Sequence, residues 1–482
     1  MTRKLYGPFN RVEGDLEVEV ELRDGQVSAA WVNSPLYRGF EQILQGKPAE
    51  DALVYTPRIC GICSVSQSIA AANALAVAQG IERPPNAELV TNLILACENL
   101  ADHLTHFYLF FMPDFCRQAY ASAPWHGAIA ARFKAQQGSA AVSMLRARAE
   151  FMHITGILAG KWPHTMSVQP AGVTTAPTAA QKVELLAILG GFRQFLETQL
   201  FDDALESVAE LASIEVLARW QVAHASSDFA AFLQLADALE LHRLGRIPPR
   251  FLSYGAYGVG DDHLFARGLF DPVQGVGSFD SSQIAEDISH SWMLSQNGPK
   301  HPLLGTTSPD PEQQDGYSWC KAPRYDRQVM EVGAQARQVI DAQPLMLDLA
   351  SAHDSNVKGR IVGRLLEIAR LVPQMESWVR QIDPKAPFRH AAAEVDEAEG
   401  EGLVEAARGS LGHWIRVRNG RILNYQIIAP TTWNFSPRDG QGTPGALEQA
   451  LVGTVVGNDG KTDVAIQHIV RSFDPCMVCT VH

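Results

Sequence analysis

The chain ends in two cysteines and a histidine: Cys476-Met477-Val478-Cys479-Thr480-Val481-His482. A second Cys-x-x-Cys pair, Cys60-Gly61-Ile62-Cys63, lies near the start, so 476 − 63 = 413 positions separate the two pairs. Each pair can chelate one metal, and thiolate sulfur suits zinc, copper(I), nickel and iron–sulfur clusters. If the pairs share a metal, the site closes almost the whole chain. We therefore predict one interlocked domain over residues 1–482.

The wide separation of the pairs favours a metalloenzyme over a structural zinc site. In a zinc site the second pair usually follows within about 15–20 residues, because such a site folds a small piece of chain. A non-catalytic zinc-binding interaction protein is the alternative. Seven cysteines, an odd number, argue against a disulfide framework. We expect Cys97, Cys116 and Cys320 to be small buried hydrophobic residues.

Composition excludes several classes of protein. Hydrophobic residues make up 46% and charged residues 19% of the 482 residues, which is typical of a globular protein with a large core. The net charge of -13 argues against a nucleic-acid partner, which needs clustered Lys and Arg. No apolar run is long enough to span a membrane, and the first residues lack the apolar segment of a signal peptide. We expect a cytoplasmic protein without direct membrane insertion.

Alternation and turn residues predict two β-hairpins. Residues 16–32 alternate apolar and polar side chains and turn at Asp24-Gly25. A second hairpin is predicted from His413–Val417 and Arg421–Ile428 around Asn419-Gly420. Few other strand signals are present.

Helical patterns cover most of the remaining chain. A helix is predicted from Ser64, as its cap, to a stop at Gly80, and a second over residues 87–112, ended by Pro113. The fold class is therefore α+β and mainly helical. Further helical periodicity and two irregular segments, a polar surface excursion and an acidic loop, complete the prediction: helices at about 140–160, 179–220, 328–350 and 357–381, the excursion at 300–325 and the loop at 391–402.

Motifs along the whole chain resemble the large, catalytic subunit of nickel-iron hydrogenases. The resemblance implies a central helix bundle with small hairpins and the interconversion of H2 with two protons and two electrons. Besides the two cysteine pairs, the motifs occur in order from the N-terminal region to the end of the chain: Arg11-Val12-Glu13-Gly14, Arg38-Gly39-Phe40-Glu41, Asp102-His103-Leu104-Thr105-His106-Phe107-Tyr108, Lys321-Ala322-Pro323-Arg324-Tyr325, Ala407-Arg408-Gly409 and Pro430-Thr431-Thr432-Trp433-Asn434.

The resemblance assigns the four cysteines to one nickel-iron centre. It implies that Cys60, Cys63, Cys476 and Cys479 hold nickel. Cys63 and Cys479 would bridge to an iron that carries two cyanides and one carbon monoxide, Fe(CN)2(CO). Several thiolates on one nickel place basic sulfur beside an electrophilic metal. That pairing is suited to heterolytic cleavage of H2.

The resemblance also implies a charged canopy over the metals. Arg408 matches the arginine whose guanidinium lies over the open metal face, and Asp102 and Asp474 match the carboxylates that orient it. Thr431 matches the hydroxyl residue that donates to a cyanide ligand. The alternatives are an ordinary helix-surface carboxylate for Asp102 and a plain turn threonine for Thr431.

A proton relay and a second metal site follow from the same resemblance. Glu13 matches the glutamate that carries protons away from a terminal cysteine, whereas a lone glutamate there would be a solvated charge. Glu41 and His482, with a backbone carbonyl near Ile427, match the ligands of a magnesium or iron(II) ion. Taken alone, a terminal histidine would be disordered. His103 and His106 lie three apart on one helix, and we expect both to be satisfied core histidines.

Departures from the common pattern indicate a subgroup. Gln67 stands where most of the family has a histidine; it can hydrogen-bond a bridging cysteine but takes up no proton near neutral pH. Ile62 and Phe110 are bulkier than usual and are predicted to narrow a gas path, which would limit O2 more than H2. The chain is expected to end at His482 without a cleaved tail. These features resemble the H2-sensing, regulatory branch; the alternative is an uptake hydrogenase in processed form.

Partners follow from the cysteine count and the resemblance. No further cysteines are available for an iron–sulfur cluster in this chain, so electrons must leave through another protein. The resemblance implies an iron–sulfur small subunit, in a heterodimer or a dimer of heterodimers, together with maturation proteins. A sensor would also signal to a histidine kinase. A relative of the quinone-site subunit of respiratory complex I is disfavoured, because that protein lacks the four cysteines.

Overall fold

The computed structural model describes residues 2–260, 262–392, 394–456 and 462–482. Helical residues make up 45% and strand residues 20%, so the predicted class, α+β and mainly helical, is confirmed. The α-helices, labelled α1–α18, span in order Phe40–Leu44, Ala52–Tyr55, Ser64–Gln79, Pro85–Thr105, His126–Phe133, Ser139–Phe151, His153–Ala159, Ala179–Phe195, Leu205–Ala209, Ile214–Ala223, Asp228–Ala238, Ala334–Ile340, Pro344–His353, Val357–Gln381, Pro430–Asn434, Ala446–Leu451, Thr462–Ser472 and Met477–Thr480.

The strands form small antiparallel sheets at the edges of the helices. The three-stranded sheets are β1-β2-β3, β6-β7-β8 and β11-β12-β13, and β4-β5 and β9-β10 are two-stranded. The strands β1–β13 span in order Thr2–Tyr6, Glu17–Arg23, Gln26–Asn33, Val168–Gln169, Gly172–Val173, Phe251–Val259, Asp262–Asp271, Gly275–Gly277, Ile284–Asp287, Ala322–Tyr325, Ala398–Ala406, Gly409–Arg418 and Arg421–Ile428.

Both predicted hairpins are confirmed. Strands β2 and β3 pair around Asp24-Gly25, and β12 and β13 pair around Asn419-Gly420. The turn residues Asp24, Gly25, Asn419 and Gly420 all have positive φ. Only glycine and short polar residues adopt such angles readily in a two-residue hairpin loop.

Helix α3 is buried along most of its length and crosses strand β11 at close range. Its sequence is rich in alanine, and Gly400 and Gly402 of β11 approach the backbone carbonyls of Ala74 and Ala70. Cys63 directly precedes the helix, so this packing positions one end of the cysteine cluster. Helix α4 packs beside α14 in the centre of the molecule, and both carry buried charged side chains.

Several predicted elements differ from the structure. Ser64 is the first helical residue of α3 rather than its cap, and Gly80 ends that helix with positive φ as predicted. The α-helix predicted over residues 87–112 begins at Pro85 and ends at Thr105, where six residues with π-helical bonding, His106–Phe111, continue the rod. The pattern over 179–220 is divided among α8, α9 and α10, because a π-turn and loops interrupt it.

The two segments predicted to be irregular are confirmed in part. Residues 300–321 contain no helix or strand and residues 308–317 are half-buried or exposed, but Thr307, Ser318 and Lys321 are buried and β10 begins at Ala322. Residues 391–402 include the start of β11. Residues 328–333 are not helical. Strand β6 was missed because it is buried on both faces and therefore lacks alternation.

Candidate metal centre

The four paired cysteines meet at one point in the interior. Their sulfurs all lie within 4.8 Å of one another, and all four side chains are buried. The Sγ–Sγ distances are 3.5 Å for Cys60–Cys476, 3.2 Å for Cys63–Cys479 and 3.0 Å for Cys476–Cys479. These separations are too long for disulfides and approach the spacing of about 3.8 Å expected for thiolates on one tetrahedral metal. The two ends of the chain therefore form a single four-sulfur site.

Backbone pairing holds the C-terminal cysteine segment in place. The Glu13 amide donates to the Pro475 carbonyl at 3.3 Å, and the Met477 amide donates to the Glu13 carbonyl at 2.7 Å. The Cys476 amide donates to Thr431 Oγ1 at 3.0 Å. Arg38 links both cysteine segments, since its Nη1 donates to the carbonyls of Ile59 and, at 3.3 Å, Val478.

Arg408 lies over the cysteines between two buried carboxylates. Its Nη1 is 3.0 Å from Asp102 Oδ2, and its Nη2 is 3.1 Å from Asp102 Oδ1 and 3.2 Å from Asp474 Oδ1. Arg408 Nε also donates to the Asp474 carbonyl at 2.9 Å. Asp102 is thus not a helix-surface carboxylate. The structure brings these three predicted residues together as one ion-paired group.

Burial shifts the pKa values of this ion-paired group. It raises the pKa of Asp102 to about 7 despite the opposing effect of Arg408. Burial would lower the pKa of Arg408, but Asp102 and Asp474 outweigh it and keep the guanidinium charged. Charges removed from water persist only when they are paired. The canopy therefore presents a fixed cation to the cysteines.

A second buried network, which the sequence did not reveal, fixes the backbone at Arg408. Arg337 Nη1 and Nη2 donate to the carbonyls of Ala406 and Ala407 at 2.9 and 3.2 Å. The same guanidinium is paired with Glu367, whose Oε1 lies 3.1 Å from His103 Nε2. Because His103 adjoins Asp102, this network links both sides of the canopy.

A small cavity lies directly against the cysteines. Buried donors face it: Gln67 Nε2 has no hydrogen-bond partner among the described residues, and Arg408 Nη1 makes no aligned hydrogen bond there. Thr431 Oγ1 accepts from Cys476, so its own proton is free to donate. The cavity lining consists of Cys63, Gln67, Ala406, Arg408, Leu411, Pro430, Thr431, Cys476 and Cys479.

Ile62 and Phe110 do not line this cavity among the residues that the structure describes. Ile62 is half-buried against the core, and Phe110 is half-buried in the π-helical segment, where its carbonyl accepts from Arg11. Their proposed influence on a gas path stays a prediction.

Glu13 is half-buried beside the cluster. Burial raises the pKa of its carboxyl, and the nearby Cys60 raises it further, while Arg408 and Arg38 oppose both effects. Glu13 therefore lies beside Cys60 with a carboxyl that holds a proton more readily than an exposed glutamate does. Its role as a proton relay stays a prediction.

A second polar cluster surrounds Glu41 near the end of the chain. His482 Nε2 lies 3.2 Å from Glu41 Oε1, and His482 Nδ1 lies 2.6 Å from the Cys479 carbonyl oxygen. Lys321 Nζ donates to Glu41 Oε2 at 2.9 Å and to Gln426 Oε1 at 2.8 Å. Ile427 contacts Glu41 through its amide, which donates at 2.8 Å; a role for its carbonyl as a ligand stays a prediction.

Charge balance in this cluster favours an ionised Glu41. Burial would raise the pKa of Glu41, but Lys321 and His482 outweigh it and lower the pKa to about 2. The adjoining cavity of about 10 Å³ has room for one ion or one water. Glu286 Oε1 in its wall has no hydrogen-bond partner in the described part of the chain. Oxygen donors and an unpaired carboxylate oxygen fit a small divalent cation.

The predictions for His103, His106 and the other three cysteines are confirmed in part: both histidines are core residues, but their Nδ1 atoms have no hydrogen-bond partner among the described residues. His103 and His106 are fully buried, and His106 Nε2 lies 2.6 Å from the Arg471 carbonyl. Cys97 and Cys320 are buried, whereas Cys116 is half-buried. None of these residues belongs to the four-sulfur group within the described part of the chain.

The profile of the family described as nickel-dependent hydrogenase matches residues 38–124 and 139–482. The chain belongs to this family. The hydrogenase is the catalytic large subunit of an oxidoreductase that acts on H2. Its four-cysteine cluster fits the metal that gives the family its name.

Relatives of this hydrogenase span its full length. The periplasmic [NiFeSe] hydrogenase large subunit of Desulfomicrobium baculatum is 29% identical over 98% of this chain and 94% of its own. The uptake hydrogenase large subunit of Azotobacter chroococcum is 28% identical over 100% and 95%. The structure of the Ni-Fe-Se hydrogenase from D. vulgaris Hildenborough superposes with a TM-score of 0.85 at 29% identity and covers 100% of both chains. The predicted hydrogenase fold is confirmed.

No helix among the described residues combines the length and apolar character that crossing a bilayer requires.

Proposed function

We propose that this hydrogenase cleaves H2 heterolytically at a nickel-iron centre held by Cys60, Cys63, Cys476 and Cys479. The observation that carries the proposal is the buried cluster of four sulfurs beneath Arg408. Such a centre, when bound, supplies an electrophilic metal and basic sulfur on which H2 divides. Cys63 and Cys479 are the members we assign to bridging the iron, and both line the cavity.

The donors that face the cavity fit an iron with two cyanides and one carbon monoxide. Cyanide nitrogen accepts hydrogen bonds, and Gln67 Nε2, Arg408 Nη1 and the Thr431 hydroxyl each have a proton to donate. Unpaired buried donors are costly unless a ligand satisfies them. The same hydroxyl also anchors the Cys476 amide, so the structural role of Thr431 accompanies its proposed contact with the ligand.

Arg408 acts on the bound H2, and Glu13 carries the proton. The guanidinium, held by Asp102 and Asp474, polarises H2 and excludes water from the metal face. Once the neighbouring cysteine sulfur has been protonated, Glu13 would take that proton and pass it outward. We place Mg2+ or Fe2+ at Glu41 and His482, where it would tie the C-terminal segment to α1.

Electrons must leave through a partner protein. The three cysteines that remain outside the four-sulfur site are too few to hold a four-cysteine iron–sulfur cluster in this chain. We propose an iron–sulfur small subunit in a heterodimer, or a dimer of such heterodimers, and maturation proteins that install the metals.

We further propose that the complex acts in the cytoplasm as an H2 sensor coupled to a histidine kinase. Gln67 supports sensing, because an amide at this position cannot take up protons as a histidine would. The names of the relatives instead favour uptake, which is the second candidate function.

The deciding experiment is infrared spectroscopy of the purified complex between about 1,900 and 2,100 wavenumbers, where protein does not absorb, before and after H2. Bands that shift under H2, with nickel present by metal analysis, would support the proposal. An empty window without nickel would overturn it and leave a zinc-binding protein. For the role, deletion of the chain should abolish H2-dependent gene induction with little loss of H2-dependent respiration; the reverse pattern would establish uptake.

A further inference from the structure

Gln67 is placed on the cysteine cavity by the first turn of α3. Its backbone amide donates to the Cys63 carbonyl at 3.1 Å, so the side chain lies one helical turn after Cys63 on the same face. The side chain is fully buried. An amide has an acceptor end and a donor end, so its orientation decides which of the two faces the sulfurs.

His413 of the C-terminal hairpin bonds the acceptor end, and Tyr425 bonds the far side of the His413 ring. His413 Nε2 of β12 lies 2.8 Å from Gln67 Oε1, and His413 Nδ1 lies 2.8 Å from the hydroxyl of Tyr425 on β13. The two rings meet edge to face with centroids 5.5 Å apart. Both side chains are fully buried, so no water competes for these contacts.

The protons in this chain of contacts can be assigned. Burial lowers the pKa of His413 to about 3, so the ring is neutral and carries one proton. An amide oxygen can only accept, which places that proton on Nε2. Nδ1 of the neutral ring must then accept, and the Tyr425 hydroxyl, which lies 2.8 Å away, donates to it. The Tyr425 hydroxyl thus donates to His413, and His413 in turn donates to Gln67 Oε1.

We propose that His413 and Tyr425 are positioning residues that hold the Gln67 amide with its N–H groups directed at the thiolates of Cys63 and Cys479. The unpartnered Gln67 Nε2 beside these cysteines is the observation that this arrangement explains. The inference rests on the proposed function, because it concerns the thiolates that would bridge the metals.

The orientation matters chemically. With Oε1 tied to His413, the N–H groups are left on the side of the cavity that Cys63 and Cys479 line, where their positive ends lower the electron density on those thiolates. A reversed amide would set an oxygen lone pair against the thiolates and repel them. The hairpin thus controls the basicity of sulfurs to which it contributes no ligand.

The test compares the infrared bands of the metal site in four variants of the complete complex: Gln67→Leu, His413→Phe, Tyr425→Phe and the Gln67→Leu/His413→Phe double variant. His290→Phe is the matched control, because His290 also contacts a tyrosine ring and a backbone carbonyl but lies outside the cavity lining. Nickel and iron content is measured in each preparation.

We expect His413→Phe to shift the cyanide bands in the same direction as Gln67→Leu, and Tyr425→Phe to shift them less, because the Nε2–H tautomer stays available. The double variant should match Gln67→Leu alone, since the two residues act through one contact. The control should not move the bands. Unmoved bands in His413→Phe, or shifts that add in the double variant, would overturn the inference.

Tyr425→Phe keeps the inference testable if His413→Phe fails to load metal, since it removes one oxygen atom and leaves the ring. Bands in the Tyr425→Phe variant identical to those of the unaltered protein would then reject the role of the pair. Absence of all bands from the unaltered complex would instead contradict the proposed function, and the inference would be withdrawn with it.

Discussion

At the scale of single residues, the site combines soft ligands with one rigid cation. Four neutral thiols attract one another only weakly, and four thiolates would repel one another. Neither protonation state alone stabilises four sulfurs at contact distance. The neighbouring thiols lower the pKa of Cys60, whereas burial raises those of Cys476 and Cys479. Only a bound cation makes four thiolates stable at this distance. Arg408 adds charge that does not compete for the ligands.

Arg408→Lys tests the need for a fixed guanidinium. Lysine keeps the charge but lacks the planar fork that bonds Asp102 and Asp474 together. We expect H2/D2 exchange to fall by about 100-fold or more, with unchanged nickel content. Arg416→Lys alters a partly exposed ion pair between β12 and Glu399 of β11; it is the control and should keep full activity. Equal activity in both variants would contradict the canopy role.

Glu13→Gln tests the proton relay. Glutamine keeps the shape and the backbone pairing with Cys476 but cannot carry a proton. We expect H2/D2 exchange to fall by about 100-fold while the infrared bands of the metal site stay in place. Glu17→Gln, at a half-buried glutamate that bonds Asn33, serves as the comparison. An undiminished exchange rate would mean that protons leave by another residue.

At the scale of elements, helix α3 carries both Cys63 and Gln67, and its position depends on two neighbours. Strand β11 packs against it through glycines, and Glu98 of α4 bonds its N-terminus. Glu98 accepts from the amides of Val65 and Ser66 at 2.8 and 2.9 Å. A carboxylate there satisfies amides that no helical carbonyl can reach.

Gly402→Ala tests the contact between β11 and α3. A Cβ at this position would overlap the carbonyl oxygen of Ala70, which is backbone and cannot rotate away. We expect a loss of about 3 kcal/mol or more of stability, with reduced nickel content because Cys63 moves with the helix. Gly190→Ala, on α8 with open space around it, should instead stabilise the protein by about 0.5–1 kcal/mol. Thermal unfolding measures both.

Glu98→Gln tests the second neighbour through its pH dependence. Burial raises the pKa of Glu98 from 4.5 to about 7, so the native state binds a proton that the unfolded state releases. The contribution of Glu98 to the stability of the unaltered protein therefore falls as pH rises from about 4.5 to 7. Glutamine loses acceptors for α3 but has no such slope.

The deficit of the Glu98→Gln variant should consequently be largest near pH 5 and smaller near pH 8, as followed by thermal midpoints at both values. The exposed Glu82→Gln should match the unaltered protein throughout. A deficit that grows with pH would show that Glu98 is bound as a carboxylate with a low pKa.

At the scale of the whole molecule, the metal site joins segments from opposite ends of the chain. Glu13, Cys60, Arg408 and Cys476 are neighbours in space although 463 positions separate the first from the last. We propose that residues 1–482 unfold as one unit when the metals are bound.

Cys479→Ser tests this coupling. Loss of one thiolate should prevent metal loading and lower the stability of the whole chain by about 3 kcal/mol or more, seen by calorimetry as a single transition at lower temperature. Cys116→Ser, which changes a cysteine outside the cluster, should leave nickel content intact. Two separate transitions in the loaded protein would contradict a single interlocked unit.

The meeting of the two cysteine pairs, the two hairpins and the fold class were predictable from the chain alone. Cys-x-x-Cys pairs and the turns Asp24-Gly25 and Asn419-Gly420 are local signals, because their chemistry depends on residues a few positions apart. Long motifs then supplied the identity of Arg408 and Asp102. Strand β6 escaped prediction because burial on both faces removes alternation.

The partners of buried polar groups were decided only in three dimensions. Gln67 contacts His413, which is 346 positions away in sequence, and His103 contacts Glu367, which is 264 positions away. Lys321 belongs to a segment predicted to be exposed, but it lies in a buried cluster and bonds Glu41. Such pairings follow from which elements pack together. A buried polar group must bond whatever the packing brings within reach, and a single sequence does not record that choice.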